Sequence, residues 1–245
     1  MENTETNNFI KLILESDLLT IQEFYIKNPS INISYKEDKA FRYACKEGKL
    51  SIAQWLLTVD PTINVSACDE YAFIYACKNG HLDIAKWLLS IKPTINISIF
   101  SEYPFCQACE NGHLDLVQWL LTIKPTINIL EACRYSTFEI VCNNNYLDMV
   151  EWLIKIEPLI LVFINYNSLF QNMCSNGQLE LAKLLIYKAP FIDITSCNDY
   201  AFRIACIKNH VNIAEWLTTI ESHYSVIIEN NIITNYNILD NYSHL

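Results

Sequence analysis

The sequence predicts an all-α fold: a solenoid of helix-turn-helix units joined by short extended or hairpin-like connectors. Three observations carry this. All four glycines, Gly48, Gly80, Gly112 and Gly177, fall on one beat, and the same beat meets Asn145 and Asn209 where glycine is missing. Cys45, Cys77, Cys109, Cys142, Cys174 and Cys206 recur every 32 or 33 residues. Pro29, Pro61, Pro93, Pro125, Pro158 and Pro190 keep that interval, as do Trp55, Trp87, Trp119, Trp152 and Trp216, with Leu184 standing in once. Self-similarity at a fixed period of this length is the signature of stacked repeats.

Each unit opens with a helix, as in Ala72-Phe73-x-x-Ala76-Cys77, whose apolar residues have helical spacing. Gly or Asn then ends it, because both readily take the left-handed conformation of a helix C-terminus. A second helix follows, as in Leu82 to Leu89. Its polar residues Asp83, Lys86 and Ser90 are spaced i, i+3, i+7, as are Asp115, Gln118 and Thr122, and Asp148, Glu151 and Lys155. That spacing gives one wet stripe on a helix sandwiched between neighbours. The tryptophans opposite the stripe are expected to form a core ladder. The periodic proline stops the helix. The Thr-Ile-Asn-Ile runs at 94–97 and 126–129 read as extended connectors.

Seven units start near Asn8, Ala40, Ala72, Pro104, Thr137, Leu169 and Ala201, the first of them degenerate. The expected organisation is a disordered N-terminus over 1–7, a repeat array over 8–224 and a capping segment over 225–245. The tail reads as a fragment of an eighth unit, with Val226–Ile228 and Ile232–Ile233 covering the last full one.

Residues 76–89, Ala-Cys-Lys-Asn-Gly-His-Leu-Asp-Ile-Ala-Lys-Trp-Leu-Leu, resemble the second half of an ankyrin repeat. The resemblance recurs in register from about 8 to 222. The family's usual Thr-Pro-Leu-His opening is replaced, for example by Tyr71-Ala-Phe-Ile74 and Tyr103-Pro-Phe-Cys106, and its finger-loop glycines are missing. A plainer loop than the family's β-turn is therefore expected at the fingertip. The Phe-x-x-Ala-Cys and Pro-Thr-Ile-Asn-Ile segments look like the variant abundant in giant DNA viruses of amoebae (mimivirus-like). That resemblance implies a host–virus setting in the host-cell cytoplasm, and the Ile- and Asn-rich composition suits an AT-rich viral or amoebal genome.

The formal charge of −10 and pI near 4.9 weigh against nucleic acid and anionic membranes as partners. Residues 1–8 are polar and acidic, unlike a signal peptide. The aliphatic run Leu159–Ile164 is far shorter than the roughly 20 residues of a membrane helix. The periodic cysteines would lie about 10 Å apart in stacked helices. A disulfide needs Cα atoms within about 7 Å, so free thiols in a reduced cytoplasm are expected. Cys106-x-x-Cys109 is the one CxxC pair and lacks the two further ligands of a zinc site. His81, His113 and His210 share one turn position, which resembles the loop-ordering histidine of ankyrin repeats. Neither cofactor nor metal is expected, and no catalytic activity.

What packing does not dictate is the variation at the exposed turn of the first helix: Arg42/Tyr43, Ile74/Tyr75, Cys106/Gln107, Glu139/Ile140, Gln171/Asn172 and Arg203/Ile204. The preceding loop adds Tyr71, Glu102, Tyr103, Arg134, Tyr135, Tyr166 and Tyr200. Tyrosine and arginine are the side chains most enriched at binding hot spots. The expected protein-binding set is Tyr43, Tyr71, Tyr75, Tyr103, Gln107, Arg134, Tyr135, Glu139, Tyr166, Tyr200 and Arg203, on the concave face that the resemblance implies. An apolar fingertip at Leu161–Phe163 is expected to fold back on its neighbour. The function expected is a monomeric, non-catalytic module that binds a host or viral protein. The alternative is a substrate-recognition adaptor of a ubiquitin ligase.

Overall fold

In the computed structural model each period is a pair of packed helices joined by a tight turn. The structure describes residues 4–133 and 136–239, apart from the side chain of Phe163. The chain divides between Thr137 and Phe138 into two compact units. The first contains α1 (Thr4–Glu15), α2 (Leu18–Lys27), α3 (Tyr35–Lys46), α4 (Leu50–Val59), α5 (Ala67–Lys78), α6 (Leu82–Ile91), α7 (Ile99–Glu110), α8 (Leu114–Ile123) and the short α9 (Ile129–Cys133). At the division begins α10 (Thr137–Asn143). The second unit continues with α11 (Leu147–Ile156), a 3-10 turn (Pro158–Phe163), α12 (Tyr166–Ser175), α13 (Leu179–Lys188), α14 (Ser196–Ile207) and α15 (Val211–Ile220). It ends in a hairpin of β1 (Tyr224–Glu229) and β2 (Ile232–Ile238). The first helix already starts at Thr4, inside the segment expected to precede the array.

The periodic glycine ends α3, α5, α7 and α12, the first three of them in a Schellman motif. After α5, Gly80 has φ +76, its N–H donates to Cys77 O at 3.3 Å, and His81 N–H donates to Ala76 O at 2.9 Å. Asn209 does the same at φ +59, with Asn209 N–H to Cys206 O and His210 N–H to Ala205 O.

The core of each unit is a phenylalanine ladder. Phe9, Phe41, Phe73 and Phe105 in the first unit, and Phe138, Phe170 and Phe202 in the second, are at most 1 % exposed. The expected tryptophan ladder is corrected here: all five tryptophans are only partly buried. Each indole is too large for the interior position. Trp55 leans on Phe9 at 6.4 Å between ring centroids, Trp87 on Phe41 at 6.1 Å and Trp216 on Phe170 at 6.3 Å, in each case the phenylalanine of the preceding repeat. The wet stripe of the second helices is exposed, for example at Asp83, Lys86 and Ser90, opposite the buried Ile84, Ala85 and Leu88. Helices of this kind bury one face and solvate the other.

The connectors depart from the extended or plain loop expected. Their isoleucines, Ile63, Ile95 and Ile127 among them, are buried and close the core at its edge. The chain then makes one left-handed helical turn of three residues before the right-handed helix begins. This occurs at Lys36–Glu37–Asp38 (φ 51, 56, 59), Cys68–Asp69–Glu70 (φ 54, 55, 61), Phe100–Ser101–Glu102 (φ 50, 55, 65) and Cys197–Asn198–Asp199 (φ 59, 59, 56). Such a conformation costs L-residues about 1–2 kcal/mol each, so other contacts must hold it. The third residue provides one: Asp38 accepts the N–H of Asn64 at 3.0 Å, and Glu70 accepts that of Asn96 at 3.4 Å, each on the next repeat. The left-handed turn is thus latched to its neighbour. Pro104 follows the turn at the start of the right-handed stretch of α7, where its missing N–H costs little.

The terminal segment is a β-hairpin, not a fragment of a further helical unit. Asn230 and Asn231 form its two-residue loop with φ 52 and 61, the geometry a type I′ turn demands. Tyr224 stacks on Phe202 at 4.1 Å with rings 2° from parallel, and its hydroxyl donates to Asp199 at 2.7 Å. Asn209 accepts Ile233 N–H at 2.8 Å.

All ten cysteines are free thiols; only Cys68 and Cys197 are exposed. Burial pushes Cys45, Cys77 and Cys142 far above the ordinary thiol range, and Cys174 and Cys206 up to about 12. Cys68 is also raised, chiefly by its hydrogen bond to Glu37 at 2.8 Å. A thiol reagent such as Ellman's is therefore expected to label two sites in the native protein, Cys197 faster than Cys68, and the remaining eight only after denaturation. Rapid labelling of a third thiol in the native state would contradict this packing.

Candidate functional site

Three tyrosines of the first unit form one array. Tyr43 lies on α3, and Tyr71 and Tyr75 lie one turn apart on α5. Tyr71 stacks on Tyr75 at 4.1 Å (23° between planes) and on Tyr43 at 6.4 Å (20°). All three are partly buried, each presenting some surface to solvent. Burial, then the neighbouring hydroxyls of Tyr75 and Tyr43, push the Tyr71 phenol up to about 12, against the opposing pull of Arg42. It is a neutral hydrogen-bond donor at physiological pH.

Four cations gather on the faces of these rings. Lys39 and Lys46 lie 5.0 and 5.6 Å from the Tyr43 ring, Arg42 4.8 Å from Tyr71, and Lys46 and Lys78 5.9 and 5.8 Å from Tyr75. Contacts at these distances are cation–π interactions, worth about 0.5–1 kcal/mol each at exposed sites. Repeat stacking positions the lysines. His81 Nε2 donates to Lys46 O at 3.0 Å, Asn79 Nδ2 donates to the same carbonyl at 2.7 Å, and His113 Nε2 donates to Lys78 O at 3.0 Å. His81 and His113 thus pin the ends of α3 and α5 to the next repeat, as His210 pins α12 through Ser175 O at 2.9 Å.

The other residues expected at the site are placed variously. Gln107 occupies the register position of Tyr43 and Tyr75 but is buried, donating to Glu110 Oε2 at 2.7 Å. The expectation of an exposed turn is corrected there, and likewise at Arg42, Ile74 and Cys106, which are all buried. The cause at Arg42 is the left-handed turn, whose carbonyls it satisfies: Nε donates to Glu37 O at 2.8 Å and Nη2 to Lys36 O at 2.9 Å. In the second unit Arg203 makes the same contacts with Asn198 O and Cys197 O at 2.8 and 3.3 Å. Its guanidinium supports the backbone. Tyr103 and Tyr200 are each 40 % exposed, Glu139 is exposed, and Tyr166 packs edge-on against Phe191 at 4.8 Å. Arg134 and Tyr135 lie outside the described residues. The apolar fingertip Leu161–Phe163 does not fold back as expected at Val162, which is 65 % exposed; Leu161 is partly buried, and of the residues before it Ile160 is buried and Leu159 57 % exposed.

The tyrosines were legible as hot-spot side chains; Lys39, Lys46 and Lys78 were missed. A signal existed, since Lys46 and Lys78 keep the same 32-residue interval as Tyr43 and Tyr75. Among the described residues no group of three His, Cys, Asp or Glu side chains is placed to hold a metal ion. No described helix is long and apolar enough to cross a membrane.

Family models of ankyrin repeats match the chain over residues 4–101 and 41–133 (three copies) and over 172–218 (many copies). The chain is an ankyrin-repeat protein. Among solved structures, this ankyrin-repeat protein is similar to a chain in the complex of a predatory endopeptidase from Bdellovibrio bacteriovorus with an immunity protein. The TM-score is 0.51 at 22 % identity, over 74 % of this chain and 97 % of that one. As many as 159 chains of solved structures match, so the likeness assigns the architecture and no partner. No curated protein matches the sequence.

Proposed function

We propose that this ankyrin-repeat protein is a non-catalytic interaction module and that it binds its protein partner through the first-helix face of the first unit. The observation that carries the reading is the stack of Tyr43, Tyr71 and Tyr75 with four cations over it. Tyrosine gives large contact area at low entropic cost and is enriched at hot spots. Here the rings are already held in place by stacking, which lowers the ordering cost of binding. Tyr103 extends the face onto α7 with 40 % of its surface exposed. The likeness of the repeat to the giant-virus variant supports a cytoplasmic protein of the host, or a viral one, as the partner. The ankyrin family, whose members serve mainly as binding scaffolds, supports the absence of a catalytic step.

The test is capture of partners from amoebal cytoplasm by the full chain and by a Tyr43→Ala/Tyr75→Ala variant of matched fold. Partners enriched by the parent and lost in the variant are expected. Partners retained in full would move the binding surface off this face, first to Leu159 and Val162 of the second unit.

A further inference from the structure

We infer that the α3–α5 face takes a short acidic peptide segment, with Lys39, Lys46 and Lys78 gripping its carboxylates above the tyrosine stack. This rests on the protein-binding reading and names the class of partner. The argument starts from charge. The chain carries 17 Lys and Arg against 27 Asp and Glu. Four of its cations converge on three adjacent rings. Against these four stand Glu47, paired with Lys46 at 3.4 Å, and Glu37, which accepts from Cys68 beside Arg42, so the patch keeps a local positive excess on an acidic protein.

The side chains divide the work. Arg42 is buried and spent on the carbonyls of Glu37 and Lys36. It serves as a positioning residue for Tyr71. Lys39, Lys46 and Lys78 are only partly buried, and a lysine lying along an aromatic face keeps its ammonium toward water. Lys46 pairs with Glu47 at 3.4 Å, and that pair is partly exposed, so an incoming carboxylate can replace it at little cost. Beneath the ammonium groups the tyrosine stack offers an apolar floor and phenol hydroxyls that donate to acceptors. Cations above an aromatic floor suit a segment alternating carboxylates with apolar or small residues.

The boundary of the island selects against long polyanions. On the next repeat the equivalents of Tyr75 and Lys78 are Gln107 and Glu110, and Gln107 turns inward to bond Glu110. A nucleic acid carries a charge at every nucleotide, and on the α7 side its strand would run from the patch onto Glu110. A peptide with a few carboxylates ends where the island does. Electrostatic complementarity of this kind sets partner choice and encounter rate.

The test uses the full chain and a fluorescein-labelled peptide of about twelve residues with glutamate at alternate positions, read by fluorescence anisotropy at low salt. Matched probes carry glutamine for glutamate, or are a single-stranded oligothymidylate. The glutamate peptide is expected to bind saturably and the glutamine peptide not to bind. A Lys39→Gln/Lys46→Gln/Lys78→Gln variant should bind about tenfold more weakly, three lost contacts of roughly two- to threefold each. Raising ionic strength to about 0.15 M, where the Debye length is about 8 Å, should weaken the parent and leave the variant less affected. Single Lys46→Gln and Lys78→Gln variants, each about two- to threefold weaker, keep the test open if the triple variant loses its fold. Equal affinity of parent and variants, no binding of the glutamate peptide, or tighter binding of oligothymidylate would overturn the inference. If in that event the Tyr43→Ala/Tyr75→Ala variant still loses captured partners, the binding face stands and only the acidic class falls.

Discussion

Replacing Phe73 with Ala is expected to destabilise the first unit by about 3–5 kcal/mol, the range for truncating a buried phenylalanine with a residual cavity. Phe73 is fully buried, in register with Phe41 and Phe105 on the neighbouring repeats. A repeat stack is stabilised by nearest-neighbour interfaces, so a cavity at Phe73 weakens the packing of both adjoining repeats. Trp87→Ala should cost less, because the indole is only partly buried and part of its surface is already in water. Urea unfolding followed by circular dichroism checks the order. The loss at Phe73 should exceed that at Trp87, and the unit holding Phe138, Phe170 and Phe202 should keep its own transition. A Phe73→Ala variant with the parent's midpoint, or a larger loss at Trp87, would show that the core was wrongly assigned.

Gly80→Asn is expected to cost about 2–4 kcal/mol, even though asparagine tolerates the backbone conformation. The left-handed turn alone does not demand glycine, since Asn145 and Asn209 occupy the same position at φ +61 and +59. The demand comes from the next repeat. A Cβ on Gly80 would lie 2.5 Å from His113 Nδ1 and 2.6 Å from its Cε1. The imidazole would have to move and surrender its bond to Lys78 O, combining overpacking with a lost hydrogen bond. Gly48 against His81 and Gly177 against His210 repeat the arrangement. Where asparagine stands at 145, the next repeat supplies Gln178 in place of histidine, and its Nε2 donates to Cys142 O and Asn143 O at 2.9 Å each. That pairing suggests its own rescue. A Gly80→Asn/His113→Gln double variant should recover part of the loss, with a coupling of about 1–3 kcal/mol in the cycle. Strictly additive losses would refute the steric link between repeats.

Much of the fold was legible because its determinants are local. Apolar residues at helical spacing mark the helices, and Gly or Asn marks their ends. Depth was less legible. Phe73 and Trp87 both fall on apolar faces, and periodicity identifies a face without saying how far a side chain sits from solvent. The left-handed turns were hidden for a physical reason: single members such as Asp69 and Asn198 tolerate that conformation, but Cys68 and Glu70 have no local preference for it. It is held by a partner one repeat away, as Glu70 is by Asn96 N–H. The hairpin carried a local signal in Asn230-Asn231 between two β-branched runs, masked by extending the repeat past its end. In the candidate site, Tyr43 and Tyr75 stood out by residue type. The convergence of Lys39, Lys46 and Lys78 on their rings depends on stacking two repeats in space, as does the diversion of Arg42 and Arg203 to backbone carbonyls.

Hydrogen exchange of the full chain, with and without its captured partner, tests the central claim most directly. If the first-helix face of the first unit is the binding surface, partner-dependent protection should concentrate in residues 35–46 and 67–78 and fall in the Tyr43→Ala/Tyr75→Ala variant. Protection confined to residues 138–239, with 35–46 and 67–78 unchanged, would contradict it.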